Sequence, residues 1–309
     1  MSTPRSGIQV DLSAGRYRAS IASVGATVRM LQHDGVDLIV PFAADELRPA
    51  MCGALLAPWP NRIGDGEYAF AGEVHRLVQN EPETGTAAHG LVAWSDFAVV
   101  EADADRAMLS AVVAPQPGYP WRLRIDVDFR LGIDGLAQEV TATNESESPA
   151  PLGLGGHPYL TAGAEGERVI DDLTVELKAD RVLLVTEKRM LPDRLIAVED
   201  AGGLDFRRPR RLGDTVVNNA FTGLTRHDGR ARARLTDDEG RGAEIEWDER
   251  CPWVQVYTAD HGVGVDRRVG LAVEPMTCPP DAFRSGRDLL VVPPGGSVSA
   301  GWVIRSVGR

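Results

Sequence analysis

The segment Trp121–Leu131, WRLRIDVDFRL, limits the fold more than any other stretch of the chain. Trp121, Leu123, Ile125, Val127, Phe129 and Leu131 alternate strictly with Arg122, Arg124, Asp126, Asp128 and Arg130. A helix would spread those apolar side chains around its whole circumference. A strand puts them all on one face and the charges on the other, so a period of two held this long specifies a half-buried β-strand. Asp134-Gly135 then supplies a turn, and Leu136–Thr143 returns as its partner. The device recurs. Asp34-Gly35 separates Val28–Leu31 from Val36–Val40, and Ala71-Gly72 separates Tyr68–Phe70 from Val74–Val78. Glu239-Gly240 lies between Ala231–Leu235 and Ala243–Trp247, and Gly295-Gly296 between Leu289–Val292 and Val298–Ile304.

Five hairpin patterns spread over the whole length, and no segment carries a helical repeat beyond about two turns. The 33 glycines and 20 prolines among 309 residues fit many turns between short strands. The expectation is an all-β protein with a large antiparallel sheet system, a sandwich or a barrel. No linker, composition shift or fixed-period repeat divides it, so residues 1–309 are expected to form one domain.

A net charge of −12 argues against nucleic-acid or anionic-membrane partners, which need clustered positive charge. No apolar run is long enough to span a bilayer, and the start lacks a signal-peptide pattern. Cys52, Cys251 and Cys278 are odd in number and lack CxxC spacing, which points to reduced thiols in a cytoplasmic protein.

Four stretches interrupt the strand pattern with polar groups set among Gly and Pro. In LAVEPMTCPPDAF, Leu271–Phe283, Glu274 follows an apolar run and precedes Pro275; it is expected at a strand end stopped by the proline. Apolar surroundings raise a carboxyl pKa, which suits a general base near neutral pH. In APWPNRIGDG, Ala57–Gly66, Asn61 and Arg62 project from a proline-fixed loop, with donors and an acceptor suited to sugar hydroxyls. In AAHGLVAW, Ala87–Trp94, small residues around His89 leave room for a ligand, and Trp94 offers a flat apolar face. In GLGGHPYL, Gly153–Leu160, glycines allow a close backbone approach and Pro158 fixes His157.

A solvated turn is the plainer account of Arg62, and core packing of Trp94. A metal reading is weak on spacing. His89 and His157 stand far apart in the chain, and none of the six histidines forms an HxH or HxxxH pair. A GxSxG elbow is missing too. There remains a metal-free and cofactor-free acid–base pair, able to exchange protons at neutral pH and so to open and close a hemiacetal ring.

Taken in order, Asn61-Arg62, His89-Gly90, Gly156-His157-Pro158-Tyr159 and Glu274-Pro275 resemble the motifs of the aldose 1-epimerase (galactose mutarotase) family, over about Val28 to Val303. The resemblance implies an antiparallel β-supersandwich, a free aldose as substrate and interconversion of its α and β anomers. It implies Glu274 as the base on the anomeric hydroxyl and His157 as the acid toward the ring oxygen. Asn61, Arg62 and His89 would hold the sugar, Trp94 would line the pocket, and the protein would be a monomer or homodimer. One departure stands out. Where the family commonly has D-x-x-F, this chain has Asn218 three residues before Phe221. Two alternatives stay open: an anionic sugar bound by the run Arg207, Arg208, Arg210 and Arg211, and a non-catalytic sugar-binding protein on the same fold.

Overall fold

The computed structural model describes residues 3–163, 166–260 and 267–308. Strands dominate, and the one α-helix among the described residues is the short Ala282–Ser285. No described helix is long and apolar enough to cross a membrane.

A nine-stranded antiparallel sheet is built around the patterned segment. Leu123–Gly132 pairs with Arg106–Val113 on one side and Gly135–Asn144 on the other. Gly135–Asn144 then pairs with Ser297–Val307, the longest strand, which leads to Gly242–Trp247. Leu123, Ile125, Val127, Phe129 and Leu131 are all buried, as the alternation requires. Trp121 is buried too but lies before the strand, edge-on to Phe70 and Tyr119.

An eight-stranded sheet carries the polar motifs. Its order is Pro192–Ala197, Ala179–Val185, Asn218–Leu224, Trp253–Tyr257, Leu271–Met276, Gly155–His157 and Ala54–Leu56, with Tyr159–Leu160 also on Leu271–Met276. A four-stranded sheet near the N-terminus, Gln9–Ala14 through Val36–Asp37, contributes Leu12, Ile21 and Leu31. The three sheets share one continuous apolar core.

Four of the expected hairpins form. At Asp34-Gly35 and Ala71-Gly72 both turn residues have positive φ (51° and 76°, 51° and 86°), as a two-residue turn matched to strand twist demands. The loop after Leu123–Gly132 is Ile133-Asp134, one residue earlier than expected, with Gly132 opposite Gly135. The fifth pattern is not a hairpin. Leu290–Val292 pairs with Ala150–Leu152, whereas Ser297–Val307 joins the large sheet. Between them stand Pro293 and Pro294, which have no N–H to give to a hairpin ladder.

Pro275 also departs from expectation, since Leu271–Met276 runs through it with Val254 opposite. On the strand's other side the ladder is interrupted between the pairs Tyr159↔Ala272 and Gly155↔Met276, so a residue without an N–H is tolerated there. Glu274 is therefore inside a central strand and not at its end.

The glycines before His157 serve packing within the protein. A Cβ on Gly156 would lie 2.3 Å from Cζ2 of Trp302, on the large sheet, and one on Gly153 would lie 2.6 Å from the Cys278 sulfur. The close approach is to the core and not to a ligand. Gly156→Ala is expected to destabilise the protein by ~1–3 kcal/mol through overpacking, read as a lower urea midpoint at unchanged slope. An unchanged midpoint would mean that the Trp302 ring yields without cost.

Candidate active site

One cavity of ≈ 730 Å³ opens on the eight-stranded sheet and receives Asn61, Arg62, His89, His157, Asn218 and Glu274. Strand register explains how residues remote in sequence meet. Gln255 is opposite Glu274, and Ala220 is opposite Gln255. Asn218 is opposite Tyr257, and Tyr257 is opposite Ala272. Residues two apart share a face, so Asn218, Gln255, Tyr257 and Glu274 present to the cavity together. The odd spacing of three sends Phe221 to the opposite face, where it is buried in the core against Phe206. His157 and Tyr159, two apart, face the same cavity with rings stacked at 5.2 Å.

His157 Nε2 and Glu274 Oε1 are 3.3 Å apart, with both side chains almost wholly withdrawn from solvent. His89 packs its ring edge-on to His157 at 5.3 Å. Its backbone N–H donates to the Asn61 carbonyl at 2.8 Å, which ties the two loops together. Both Asn61 and His89 have positive φ (54° and 63°), as does Gly90 (73°). Gly90 admits no side chain, because a Cβ there would be 2.0 Å from the Ala57 carbonyl oxygen. Asn61 Oδ1 accepts from the Arg62 N–H at 3.0 Å, leaving its amide nitrogen as the donor. Arg62 forks onto Glu81 through Nε at 2.6 Å and Nη2 at 3.2 Å. Gln255 Nε2 donates to Asn218 Oδ1 at 2.7 Å.

Four buried polar atoms of this wall find no partner among the described residues: Nδ1 of His89, Nδ1 of His157, Oε1 of Gln255 and Oε2 of Glu274. Such a cluster of unpaired polar atoms suits a ligand rich in hydroxyl groups.

Burial sets the protonation. It lifts the Glu274 carboxyl to about 8, opposed by the Arg62 cation. Burial also holds the His157 imidazole well below its ordinary value, helped by its neighbour His89 and by Arg48 and Arg62. His89 is pushed down to about 3 by burial and the same two cations. At neutral pH the proton of the pair therefore rests on Glu274, and His157 is neutral. This is the reverse of an ionised carboxylate facing an imidazolium.

Trp94 is not part of the site. The left-handed pair His89-Gly90 turns the chain outward, and Leu91 and Val92 bond to the Ala57 carbonyl. Trp94 is exposed under the Arg48 guanidinium at 4.4 Å and is not among the residues lining the cavity. The arginine run is also elsewhere. Arg207 is forked onto Asp205, Arg210 lies over Phe206, and Arg211 pairs with Asp172. None of the four lines the cavity. Sequence reasoning missed Gln255, Tyr257, Tyr159 and Glu81, although the alternation in VQVYT puts Gln255 and Tyr257 on one face. The three cysteines are free and buried. The spacing argument against a metal proves weak in three dimensions, since one ligand atom from each of His89, His157 and Glu274 falls within 4.8 Å of the others.

Fold and site together define an antiparallel β-protein with a polar cleft around a carboxyl–imidazole pair. Residues 9–305 match the family model described as aldose 1-epimerase, and the chain belongs to that family. It is 35% identical over 291 residues to YihR of Escherichia coli K12, covering 94% of this chain and 90% of that one. Among solved structures, the GalM/aldose epimerase homologue from C. elegans superimposes with a TM-score of 0.85 at 20% identity, covering 97% of this chain and 98% of that one. Galactose 1-epimerase from Lactobacillus acidophilus NCFM gives 0.79 at 20%, covering 96% and 94%. The β-supersandwich expected from the sequence is the observed fold.

A carboxyl raised by burial favours the folded state at low pH, where it is protonated in both states. That contribution is lost as pH rises from its unfolded value near 4.5 through about 8. Glu274→Gln removes the titration, so the variant should gain stability over the native protein between about pH 5 and 9, by ~5 kcal/mol at most. Parallel urea midpoints for the two proteins across that range would show that Glu274 ionises normally.

Proposed function

We propose that this protein is a mutarotase that interconverts the α and β anomers of a neutral free aldose without metal or cofactor. The observation that carries the reading is the buried His157–Glu274 pair, 3.3 Å apart at the wall of a polar cavity. Such a pair holds one proton at neutral pH. A sugar hydroxyl donating to Glu274, together with Arg62, favours the carboxylate and moves that proton to His157. Glu274 then takes the proton of the anomeric hydroxyl as His157 gives its proton to the ring oxygen. The C1–O5 bond breaks and the aldehyde forms. Rotation about C1–C2 and reversal of both transfers close the ring as the other anomer, with every proton returned.

The remaining residues hold the sugar. Asn61 and Arg62 donate, and Asn218 with Gln255 offers amide donors and an acceptor. The charge around the cavity supports a neutral sugar. Arg62 is neutralised by Glu81 and Asp260 is paired with Arg268, whereas Glu83 and Glu187 line the same space. An anionic substituent would meet net negative charge there.

Polarimetry or NMR exchange on a panel of aldoses tests the reading. Glu274→Gln and His157→Asn should each lower kcat by roughly 10²–10⁴, with non-additive effects in the double variant. A non-catalytic sugar-binding protein would show binding but no exchange above the spontaneous rate. Treatment with EDTA should leave the rate unchanged. The rate should fall on the alkaline side as the shared proton is lost near pH 8, and on the acid side well below pH 6.5 as the pair gains a second proton.

Asn218→Asp is expected to raise kcat/KM for galactose or glucose, by less than roughly 10-fold given partial exposure, and to worsen glucose 6-phosphate further. Equal changes on all three sugars would mean that Asn218 does not face the substrate.

A further inference from the structure

We propose that His89, His157 and Glu274 also form an inhibitory site for a borderline-soft divalent cation of the zinc class, which excludes the sugar by taking both proton carriers as ligands. The three residues come from separate pieces of chain, yet one ligand atom of each lies within 4.8 Å of the other two. A tetrahedral ion with bonds of about 2.0–2.2 Å sets its ligand atoms roughly 3.3–3.5 Å apart. The 3.3 Å between His157 Nε2 and Glu274 Oε1 already equals that edge. Closure of the His89 ring tip by at most about 1.5 Å completes a triangular face with such edges. His89 is only half-buried at the cavity wall, which gives its ring room to turn.

Second, the donor atoms are available. Nε2 of His157 and Oε1 of Glu274 meet each other at 3.3 Å, so a cation between them replaces that one contact, while Oε2 of Glu274 and Nδ1 of both histidines have no hydrogen-bond partner among the described residues. The fourth position opens into the cavity, where water completes the shell.

The donor set also selects the ion. Two imidazoles and one carboxylate suit Zn²⁺ or Co²⁺, whereas Mg²⁺ and Ca²⁺ need mainly oxygen ligands. Arg62 opposes a cation, but its charge is already met by Glu81, and Glu83 and Glu187 add negative charge at the cavity lining. Inhibition follows from the proposed reaction: once Glu274 and His157 are ligands, neither can carry a proton.

The inhibitory role rests on the proposed function, but occupancy of the site does not, and two readouts separate them. Co²⁺ added to the full-length protein should give the intense visible absorption of four-coordinate cobalt at one equivalent. Zn²⁺ should displace it, and Mg²⁺ should not. Galactose should compete with the signal. His89→Ala should weaken Co²⁺ binding roughly tenfold or more, and Glu274→Gln and His157→Asn should abolish the four-coordinate spectrum while far-ultraviolet circular dichroism stays native. Anomer exchange should fall in step with Zn²⁺ occupancy and recover with EDTA. A cobalt spectrum that is absent, or that survives Glu274→Gln and His157→Asn, would overturn the site. A rate unchanged or raised by stoichiometric Zn²⁺, with the cobalt spectrum present, would overturn the inhibition alone.

Discussion

Removing the Glu274 carboxyl from water is the constraint on which the site depends. In contact with solvent that group would be ionised throughout the neutral range and too weak a base to draw a proton from a sugar hydroxyl. Inside the sheet, beside an equally buried imidazole, its charged form loses hydration and its pKa climbs to about 8. The imidazole shifts the other way for the same reason. Two groups whose ordinary values differ by about two units thus exchange order, and one proton is shared across 3.3 Å. Arg62 limits the effect, and its own charge is limited in turn by Glu81.

Holding two polar groups out of water requires a rigid surround, and the two large sheets provide it. His157 is positioned by a strand whose Gly156 lets the Trp302 ring of the other sheet press directly on the backbone. Glu274 is fixed in register with Gln255, and Gln255 is bonded to Asn218. His89 arrives from a loop pinned to the Ala57 carbonyl and to Asn61. Each side chain of the proposed site therefore rests on backbone that other elements hold in place, which fixes the geometry in advance of any ligand.

The same arrangement makes a cation a competitor. Atoms able to accept a proton at neutral pH are atoms able to ligate zinc, and a pocket that leaves them unpaired for a sugar leaves them unpaired for a metal. The acidic lining of Glu83 and Glu187 sharpens this, since negative charge that disfavours an anion favours a cation by one electrostatic effect.

The sequence by itself determined the strands, most of the turns and the identity of the polar motifs. Period-two alternation is a local property, so Leu123–Leu131 and four of the five hairpin patterns needed nothing else. The resemblance in motif order picked out Asn61, Arg62, His89, His157, Asn218 and Glu274. The tertiary structure alone decided what those residues touch. Strand register, set by neighbours distant in sequence, put Gln255 and Tyr257 beside Glu274 and sent Phe221 to the core. The proline pair at Pro293-Pro294 moved Leu290–Val292 to a different partner. Trp94 was misplaced because its place, exposed against the Arg48 guanidinium, depends on a residue distant in sequence. The exchange of proton affinities was hidden for the same reason. Desolvation depends on every atom that surrounds a group, and only the folded chain brings those atoms together.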